Sequence, residues 1–125
     1  MSIYKTRARR ILIVEDEMLL AMNLEDMLLE LGHAVVAIAA RIPQALTLAA
    51  NSDINLAILD INLSGAFSFP VADVLRKRSV SFMFATGYGS HGLTENYRTD
   101  YVLAKPYGIR ELEKAIHCIA AVHAD

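Results

Sequence analysis

The sequence predicts an α/β protein with a doubly wound, five-stranded parallel sheet between two layers of helices, a three-layer α/β/α arrangement. Two observations support this prediction. Short apolar runs typical of buried strands alternate with longer segments whose apolar residues recur at helical spacing. Most of these apolar runs also end abruptly in polar residues, as expected of strands that are buried on both faces and finish at a ligand-binding edge.

The predicted strands and helices follow one another in strict alternation. The strands are predicted at residues 10–14, 33–39, 56–59, 82–85 and 101–104. The helices are predicted at residues 18–31, 43–50, from about 70 onwards, 93–98 and 109–123. Gly32 ends the first helix, and Pro43 is tolerated in the first turn of the second. We expect a short or irregular fourth helix, because the glycines between residues 87 and 92 raise the entropy cost of ordering that segment.

Length and composition bound the kind of protein. A chain of 125 residues is long enough for one domain and too short for two, so we predict a single domain over 1–125 with its core at about 10–122. Apolar residues make up 54% and charged residues 21%, which indicates a globular chain. The net charge of −2 gives no reason to expect nucleic acid or an anionic membrane as partner. Because no segment resembles a signal peptide or a membrane span, we expect a cytoplasmic protein.

Some polar residues are expected to lie outside any site. The basic residues near the N-terminus are interpreted as a solvated lead-in to the first strand, with contact to a partner as the alternative; they are Lys5, Arg7, Arg9 and Arg10. The histidines have no spacing that would form a metal site, and surface or helix-end positions account for them; they are His33, His91, His117 and His123. The single cysteine, Cys118, excludes an intrachain disulfide.

Polar residues that could bind an ion or take part in a reaction follow four of the predicted strands. They are Glu15 and Asp16 after the first strand, Asp60 after the third, Thr86 after the fourth and Lys105 after the fifth. A parallel sheet brings these strand ends to one edge, so the side chains can share a site. Three carboxylates repel one another and require a cation, and hard oxygen ligands without histidine or thiolate favour Mg²⁺. A lysine and a hydroxyl beside them could neutralise an added anion, which completes the parts needed for phosphoryl transfer to an aspartate.

Three short motifs resemble the receiver domains of response regulators, the CheY-like family with a flavodoxin-like (βα)5 fold. They are Ile-Leu-Ile-Val-Glu-Asp-Glu at 11–17, Leu-Asp-Ile-Asn-Leu at 59–63 and Leu-Ala-Lys-Pro at 103–106, and the resemblance extends from about residue 10 to about residue 122. It implies that Asp60 is the phosphoacceptor and that Glu15 and Asp16 bind Mg²⁺ together with Asp60 and the main-chain carbonyl of Asn62. It further implies that Thr86 and Lys105 each bond a phosphoryl oxygen, and that the Lys105–Pro106 peptide bond is cis.

Residues 81–89 resemble a narrower subgroup of receivers, which differs from common receivers in the residues that respond to phosphorylation. Residues 81–89, Ser-Phe-Met-Phe-Ala-Thr-Gly-Tyr-Gly, resemble the FATGUY-type receivers, with Ser81 in place of the usual proline. Common receivers carry Tyr or Phe three residues before the lysine, whereas this chain has Val102 there and Tyr101 one place away, on the opposite face of the strand. We therefore expect the switch to involve Gly87, Tyr88, Gly89 and Val102, with the segment 87–98 ordering or shifting on phosphorylation. Ser64 stands where many receivers have proline, which predicts a less constrained loop after Asp60.

The resemblance implies a single-domain response regulator of a two-component phosphorelay, and not an enzyme beyond assisting its own phosphorylation and dephosphorylation. A histidine kinase or a histidine phosphotransfer protein would phosphorylate Asp60, and the chain, a monomer or weak dimer, would then signal to a downstream protein by contact. Two alternatives remain open: a phosphate sink or relay intermediate, and a receiver-like interaction domain that works without phosphorylation. A nucleotide-binding or flavodoxin-like enzyme is disfavoured, because residues 15–17 are acidic where a phosphate cradle would need glycines.

Overall fold

Five parallel strands form the central sheet of the computed structural model, which describes residues 7–87 and 101–122 and, at 120–122, the backbone only. The strands of this sheet are β1 (Arg10–Val14), β2 (Ala34–Ala39), β3 (Leu56–Asp60), β6 (Ser81–Thr86) and β7 (Val102–Ala104). A separate hairpin is formed by β4 (Asn62–Leu63) and β5 (Ala66–Phe67). The helices of the described part are α1 (Met18–Glu30), α2 (Ile42–Asn51), α3 (Phe69–Lys77) and α4 (Ile109–Val122).

The strand order confirms the predicted doubly wound sheet. It runs β2-β1-β3-β6-β7, and every pairing within it is parallel. The order reverses between β1 and β3, so the crevice in which such sheets bind ligands lies at the carboxyl ends of these two strands. The helix predicted at 93–98 and two residues of the predicted switch segment, Tyr88 and Gly89, lie outside the described residues.

Both faces of the sheet are buried, as the apolar runs predicted. Leu12 and Val14 of β1 belong to the core cluster that includes side chains of α2 and α3. Ile11 and Ile13 belong to the cluster that includes side chains of α1 and α4. Fully burying each such side chain contributes about 1.5–3 kcal/mol, which is why the strand contains no polar residue between its two ends. The three-layer arrangement is therefore confirmed.

The loop expected after Asp60 is a β-hairpin with a two-residue turn. Asn62 pairs with Phe67 and Leu63 with Ala66 in antiparallel register. Ser64 (φ 51°) and Gly65 (φ 93°) occupy the turn, and positive φ at both central positions defines a type I′ turn, whose twist matches that of the flanking strands. Strands of two residues are too short to show alternating hydrophobicity, so the sequence pattern did not predict them.

Two residues expected at the surface are buried at the amino edge of the sheet. Arg9 is 2% exposed and His33 is 6% exposed. The backbone N–H of Arg9 donates to Nδ1 of His33 at 2.9 Å, so the neutral imidazole satisfies a main-chain donor and can be buried. Burial, and secondarily the charge of Arg9, lower the pKa of His33. The surface interpretation was therefore wrong for both residues. The alternative of a helix-end position holds for His33, whose backbone N–H donates to the carbonyl of Leu28 near the end of α1.

Among the described helices, none combines the length and the hydrophobicity that crossing a membrane needs.

Candidate functional site

Three carboxylate side chains meet where β1 and β3 end. Glu15 and Asp16 follow β1, and Asp60 is the last residue of β3. One carboxylate oxygen from each residue lies within 4.8 Å of the other two. Glu15 is buried, whereas Asp16 and Asp60 are partly exposed. Because β1 and β3 are neighbours in the sheet, the structure brings these three residues together as the sequence predicted.

Lys105 supplies a positive charge to this cluster. Its Nζ donates to Oε1 of Glu15 at 3.0 Å and lies 3.5 Å from Oδ2 of Asp60. The backbone N–H of Lys105 donates to the carbonyl of Thr86 at 2.9 Å, which joins the ends of β6 and β7. The Lys105–Pro106 peptide bond is cis, as predicted. The lysine thus reaches the carboxylates from a strand that does not border β1 or β3.

The electrostatics of the site disfavour the ionised form of Asp60. Burial is the main cause that raises the pKa of Asp60 to about 6; the charge of Lys105 opposes this effect, and the charge of Glu15 adds to it. For Lys105, burial works to lower the pKa, but the hydrogen bond to Glu15 and the charge of Asp60 outweigh it, so the pKa is raised. The lysine therefore stays charged at neutral pH, and ionisation of the Asp60 carboxyl group has an energetic cost that a further cation would reduce.

A cavity of about 320 Å³ opens beside Asp60 at the carboxyl edge of the sheet. Asn62, Thr86, Gly87 and Lys105 line it together with Asp16 and Asp60. Thr86 is 4% exposed and is the last residue of β6, so its position is fixed by the parallel pairing with β3 and β7. The residues predicted to contact a phosphoryl group therefore surround one space that is open to the exterior.

The hairpin determines where the main-chain carbonyl of Asn62 points. The backbone N–H of Ser68 donates to the carbonyl of Ile61 at 2.8 Å, so Ile61 and Ser68 form a hydrogen-bonded pair. Hydrogen-bonded and non-bonded pairs alternate along an antiparallel ladder, which makes the Asn62–Phe67 pair non-bonded and directs the Asn62 carbonyl away from β5. Oδ1 of Asn62 accepts from the N–H of Gly65 at 2.7 Å, which keeps the side chain in the turn. This orientation suits the predicted main-chain ligand role.

Ser64 and Phe67 also reach the site, although their sequence pattern predicted no contact there. The Ser64 hydroxyl donates to Oδ2 of Asp16 at 2.6 Å, and this hydrogen bond is the main cause that lowers the pKa of Asp16, against the effect of burial. Phe67 lines the cavity, is 52% exposed and stacks on Phe69 with ring centroids 5.6 Å apart. The Ser64-Gly65 dipeptide is a turn signal from which the hairpin, though not the contact with Asp16, could have been inferred.

The residues around the predicted switch lie on two faces of β7. Val102 packs against the core cluster that contains Phe84, and Tyr101 packs against the cluster on the other face of the sheet. Tyr101 and Val102 therefore lie on opposite faces, as predicted. Tyr107 is partly buried near the carboxylates; burial, followed by the charges of Glu15 and Asp60, raises its pKa to about 12.

The parallel sheet with a carboxylate cluster and a lysine at its strand ends is typical of the receiver class of signalling domains, and the sequence comparison agrees. The family described as "Response regulator receiver domain" matches residues 11–117. The chain belongs to the response regulator receiver domain family. It is 36% identical over 104 residues to the phyllosphere-induced regulator PhyR of Methylorubrum extorquens, which covers 80% of this chain and 39% of PhyR. The chain thus spans well under half the length of that curated relative.

Solved structures show the same similarity. The solution structure of SdrG from Sphingomonas melonis Fr1 superposes with a TM-score of 0.79 at 37% identity, covering 92% of this chain and 98% of that one. SdrG has also been solved in a BeF3-activated conformation, with a TM-score of 0.75 at 40% identity over 86% of this chain and 92% of that chain. The anti-anti-sigma factor PhyR from Bartonella quintana superposes with a TM-score of 0.79 at 26% identity, covering 96% of this chain and 50% of PhyR.

Proposed function

We propose that this receiver domain is a binding module that is controlled by Mg²⁺-dependent phosphorylation of Asp60. The observation that carries the proposal is the convergence at Asp60, where oxygens of Glu15, Asp16 and Asp60 lie within 4.8 Å of one another and Lys105 Nζ lies 3.5 Å from the Asp60 carboxylate. A surface aspartate that merely caps a strand would need neither neighbouring carboxylates nor a shared lysine. The phosphoryl donor would be a histidine kinase or a histidine phosphotransfer protein.

The residues at the site fit Mg²⁺. Glu15, Asp16 and Asp60 offer hard carboxylate oxygens, and the orientation of the Asn62 carbonyl adds a neutral oxygen donor. Lys105 supplies one positive charge beside three carboxylates, and burial, with the charge of Glu15 adding to it, still raises the pKa of Asp60. When bound, Mg²⁺ would offset the charge of the carboxylates and of the incoming phosphoryl group.

The chain's own residues have distinct parts in the transfer. An oxygen of the Asp60 carboxylate attacks phosphorus, and the new O–P bond forms as the P–N bond to the donor imidazole breaks. The imidazole leaves with the electron pair of that bond and takes up a proton from solvent. In the structure, Lys105 Nζ lies 3.5 Å from Asp60 Oδ2; during transfer it would exchange this contact for one with a phosphoryl oxygen. The Thr86 hydroxyl would bond another oxygen from the end of β6.

The relatives support phosphorylation-dependent switching. SdrG adopts a BeF3-activated conformation, and beryllium trifluoride has the charge and shape of a phosphoryl group bound to a carboxylate. We further propose that the chain is a FATGUY-type receiver, since residues 82–88 read Phe-Met-Phe-Ala-Thr-Gly-Tyr. The proposed switch involves Gly87, Tyr88, Gly89 and Val102, and backbone NMR with and without phosphodonor tests it: unchanged resonances over 87–98 would contradict it.

We propose that the phosphorylated surface acts on a protein partner by contact. Bartonella quintana PhyR is described as an anti-anti-sigma factor, which makes a regulator of transcription initiation a reasonable class of partner. The rival role is a phosphate sink or relay intermediate. Incubating the phosphorylated chain with a histidine phosphotransfer protein distinguishes the two, because rapid return of the phosphoryl group to histidine is expected of a relay and not of an output module.

The decisive experiment is incubation with Mg²⁺ and acetyl phosphate, followed by intact mass spectrometry. Wild type is expected to gain one phosphoryl group, Asp60→Asn to gain none, and EDTA to suppress the gain in wild type. Asp53→Asn is a matched control, because Asp53 is an exposed aspartate paired only with the surface residue Arg10 among the contacts described for it. Equal phosphorylation of the Asp60→Asn variant and wild type, or no phosphorylation of wild type, would refute the proposal.

A further inference from the structure

Each of the three carboxylates at the site is held by a hydrogen-bond donor or a cation from another part of the chain. Glu15 accepts from the backbone N–H of Glu17 at 3.1 Å and from Lys105 at 3.0 Å. Asp60 lies 3.5 Å from the same lysine. For Asp16 the corresponding contact comes from Ser64, whose Oγ donates to Oδ2 at 2.6 Å across 48 positions of sequence. The hairpin after β3 is thereby tied to the turn after β1.

The backbone at Ser64 does not by itself favour serine. Ser64 is the first turn residue of the type I′ hairpin and has φ 51°, a conformation that glycine, asparagine and aspartate adopt more readily. The side chain is exposed, so core packing does not require it either. What serine contributes at this position is the hydroxyl donor, which the turn directs at Asp16.

We propose that Ser64 is a positioning residue for the metal ligand Asp16. By holding Oδ2, the hydroxyl fixes the rotation of the carboxylate, so that an oxygen of Asp16 stays within reach of Glu15 and Asp60. Hydrogen-bond partners of this kind orient ligands before the ion arrives, and losing one commonly weakens metal binding by about 10- to 100-fold. The inference rests on the proposed function in one respect: it takes the three carboxylates to be a Mg²⁺ site.

The test is isothermal titration of the full chain with MgCl₂, comparing wild type with Ser64→Ala and Ser64→Gly. We expect both variants to bind Mg²⁺ about tenfold or more weakly. Ser64→Gly is the more informative variant, because it removes the hydroxyl donor without straining the turn. Glycine suits φ 51° better than serine and should leave the hairpin at least as stable. A loss of affinity without a loss of thermal stability in EDTA is not expected of a merely structural serine.

The chain offers a matched control in Ser79. It is also exposed and has φ 59°, but it follows α3 and precedes β6, at the amino edge of the sheet opposite the site. Ser79→Gly is therefore expected to relieve a similar backbone conformation and to leave the affinity for Mg²⁺ unchanged. Equal weakening by Ser79→Gly and Ser64→Gly would overturn the proposal, because the effect would then be global.

A double-mutant cycle with Asp16→Ala tests whether Ser64 acts through Asp16. In the Asp16→Ala background, Ser64→Gly should cause no further loss of Mg²⁺ affinity. Wild-type affinity in Ser64→Gly, or a full additional loss in the double variant, would overturn the positioning role while leaving the proposed function intact. If wild type itself bound no Mg²⁺, both would fail. If wild type bound Mg²⁺ with the expected serine dependence but took up no phosphoryl group, only the proposed function would fail.

Discussion

Replacing Asp60 with asparagine is expected to stabilise the metal-free chain, although it removes the proposed phosphoacceptor. Burial is the main cause that raises the pKa of Asp60 from 3.8 to about 6; Lys105 opposes it, and Glu15 adds to it. At about 1.4 kcal/mol per pKa unit, the folded state favours the neutral carboxyl group over the carboxylate by roughly 3 kcal/mol. Asparagine resembles the neutral form in size and charge. The free energy of unfolding at neutral pH should therefore rise by about 1–3 kcal/mol.

The sign of the pH dependence follows from the same pKa shift. Because the pKa of Asp60 is higher in the folded than in the unfolded state, the folded state takes up its proton first as the pH falls. The cost of the carboxylate is fully present above about pH 6, decreases as the pH falls towards 3.8 and is absent below that value. The stability advantage of Asp60→Asn over wild type should accordingly shrink between about pH 7 and pH 4.

Urea unfolding in EDTA, followed by circular dichroism at about pH 7 and about pH 4.5, measures this difference. Asp53→Asn is the control, because it makes the same chemical change at a side chain that is 88% exposed. The control is expected to stay within about 0.5 kcal/mol of wild type. An Asp60→Asn variant that is less stable than wild type at neutral pH would refute the reasoning, as would an advantage that does not shrink on acidification.

Three further results are expected. Lys105→Ala should take up phosphate from acetyl phosphate about tenfold or more slowly and fail to switch; normal uptake by mass spectrometry and normal switching by NMR would exclude its assigned role. Since the pKa of His33 is lowered, protonation of His33 should oppose folding as the pH falls below 6.5, against the gain that Asp60 contributes. His33→Asn keeps an acceptor for the Arg9 N–H but cannot be protonated, so its stability relative to wild type should rise on acidification in the same urea assay. Phe84→Ala should cost about 3–5 kcal/mol in a fully buried position, against much less for the half-exposed Phe67→Ala.

The sheet could be predicted because a strand that is buried on both faces requires a continuous run of apolar residues in the sequence. Residues 11–14 of β1 send alternate side chains into two different core clusters, so all four must be apolar. The strands β4 and β5 do not require consecutive apolar residues, because each has only two residues and Asn62 and Phe67 are exposed. The burial of Arg9 could not be predicted either, because a charged residue beside a strand is ordinarily expected in solvent. The histidine that accepts its backbone N–H lies 24 residues away in the sequence.

The site could be predicted as far as it depends on strand ends. Glu15, Asp60 and Lys105 are placed by parallel pairing alone, since the pairing fixes where each strand stops. The contact between Ser64 and Asp16 depends instead on the φ angles of one turn and on the rotation of one carboxylate. Neither the turn angles nor the carboxylate rotation leaves a periodic pattern in the sequence. Ser64 was therefore interpreted only as a replacement for the proline of many receivers, and its contact with Asp16 was not predicted.

The proposed phosphorylation of Asp60 would reach the surface through the residues that surround Thr86. Its carbonyl accepts from the N–H of Lys105, so the two residues that would hold the phosphoryl group are already joined through the backbone of β6 and β7. Val102 lies opposite Phe84 in this pairing and packs against the cluster that contains it, and a β-branched side chain has little rotational freedom with which to report a change. A displacement of Thr86 towards a phosphoryl oxygen would therefore act on the backbone at Gly87 and would not turn the side chain of Val102. For this reason we expect the response of this receiver to be a main-chain movement that begins immediately after β6.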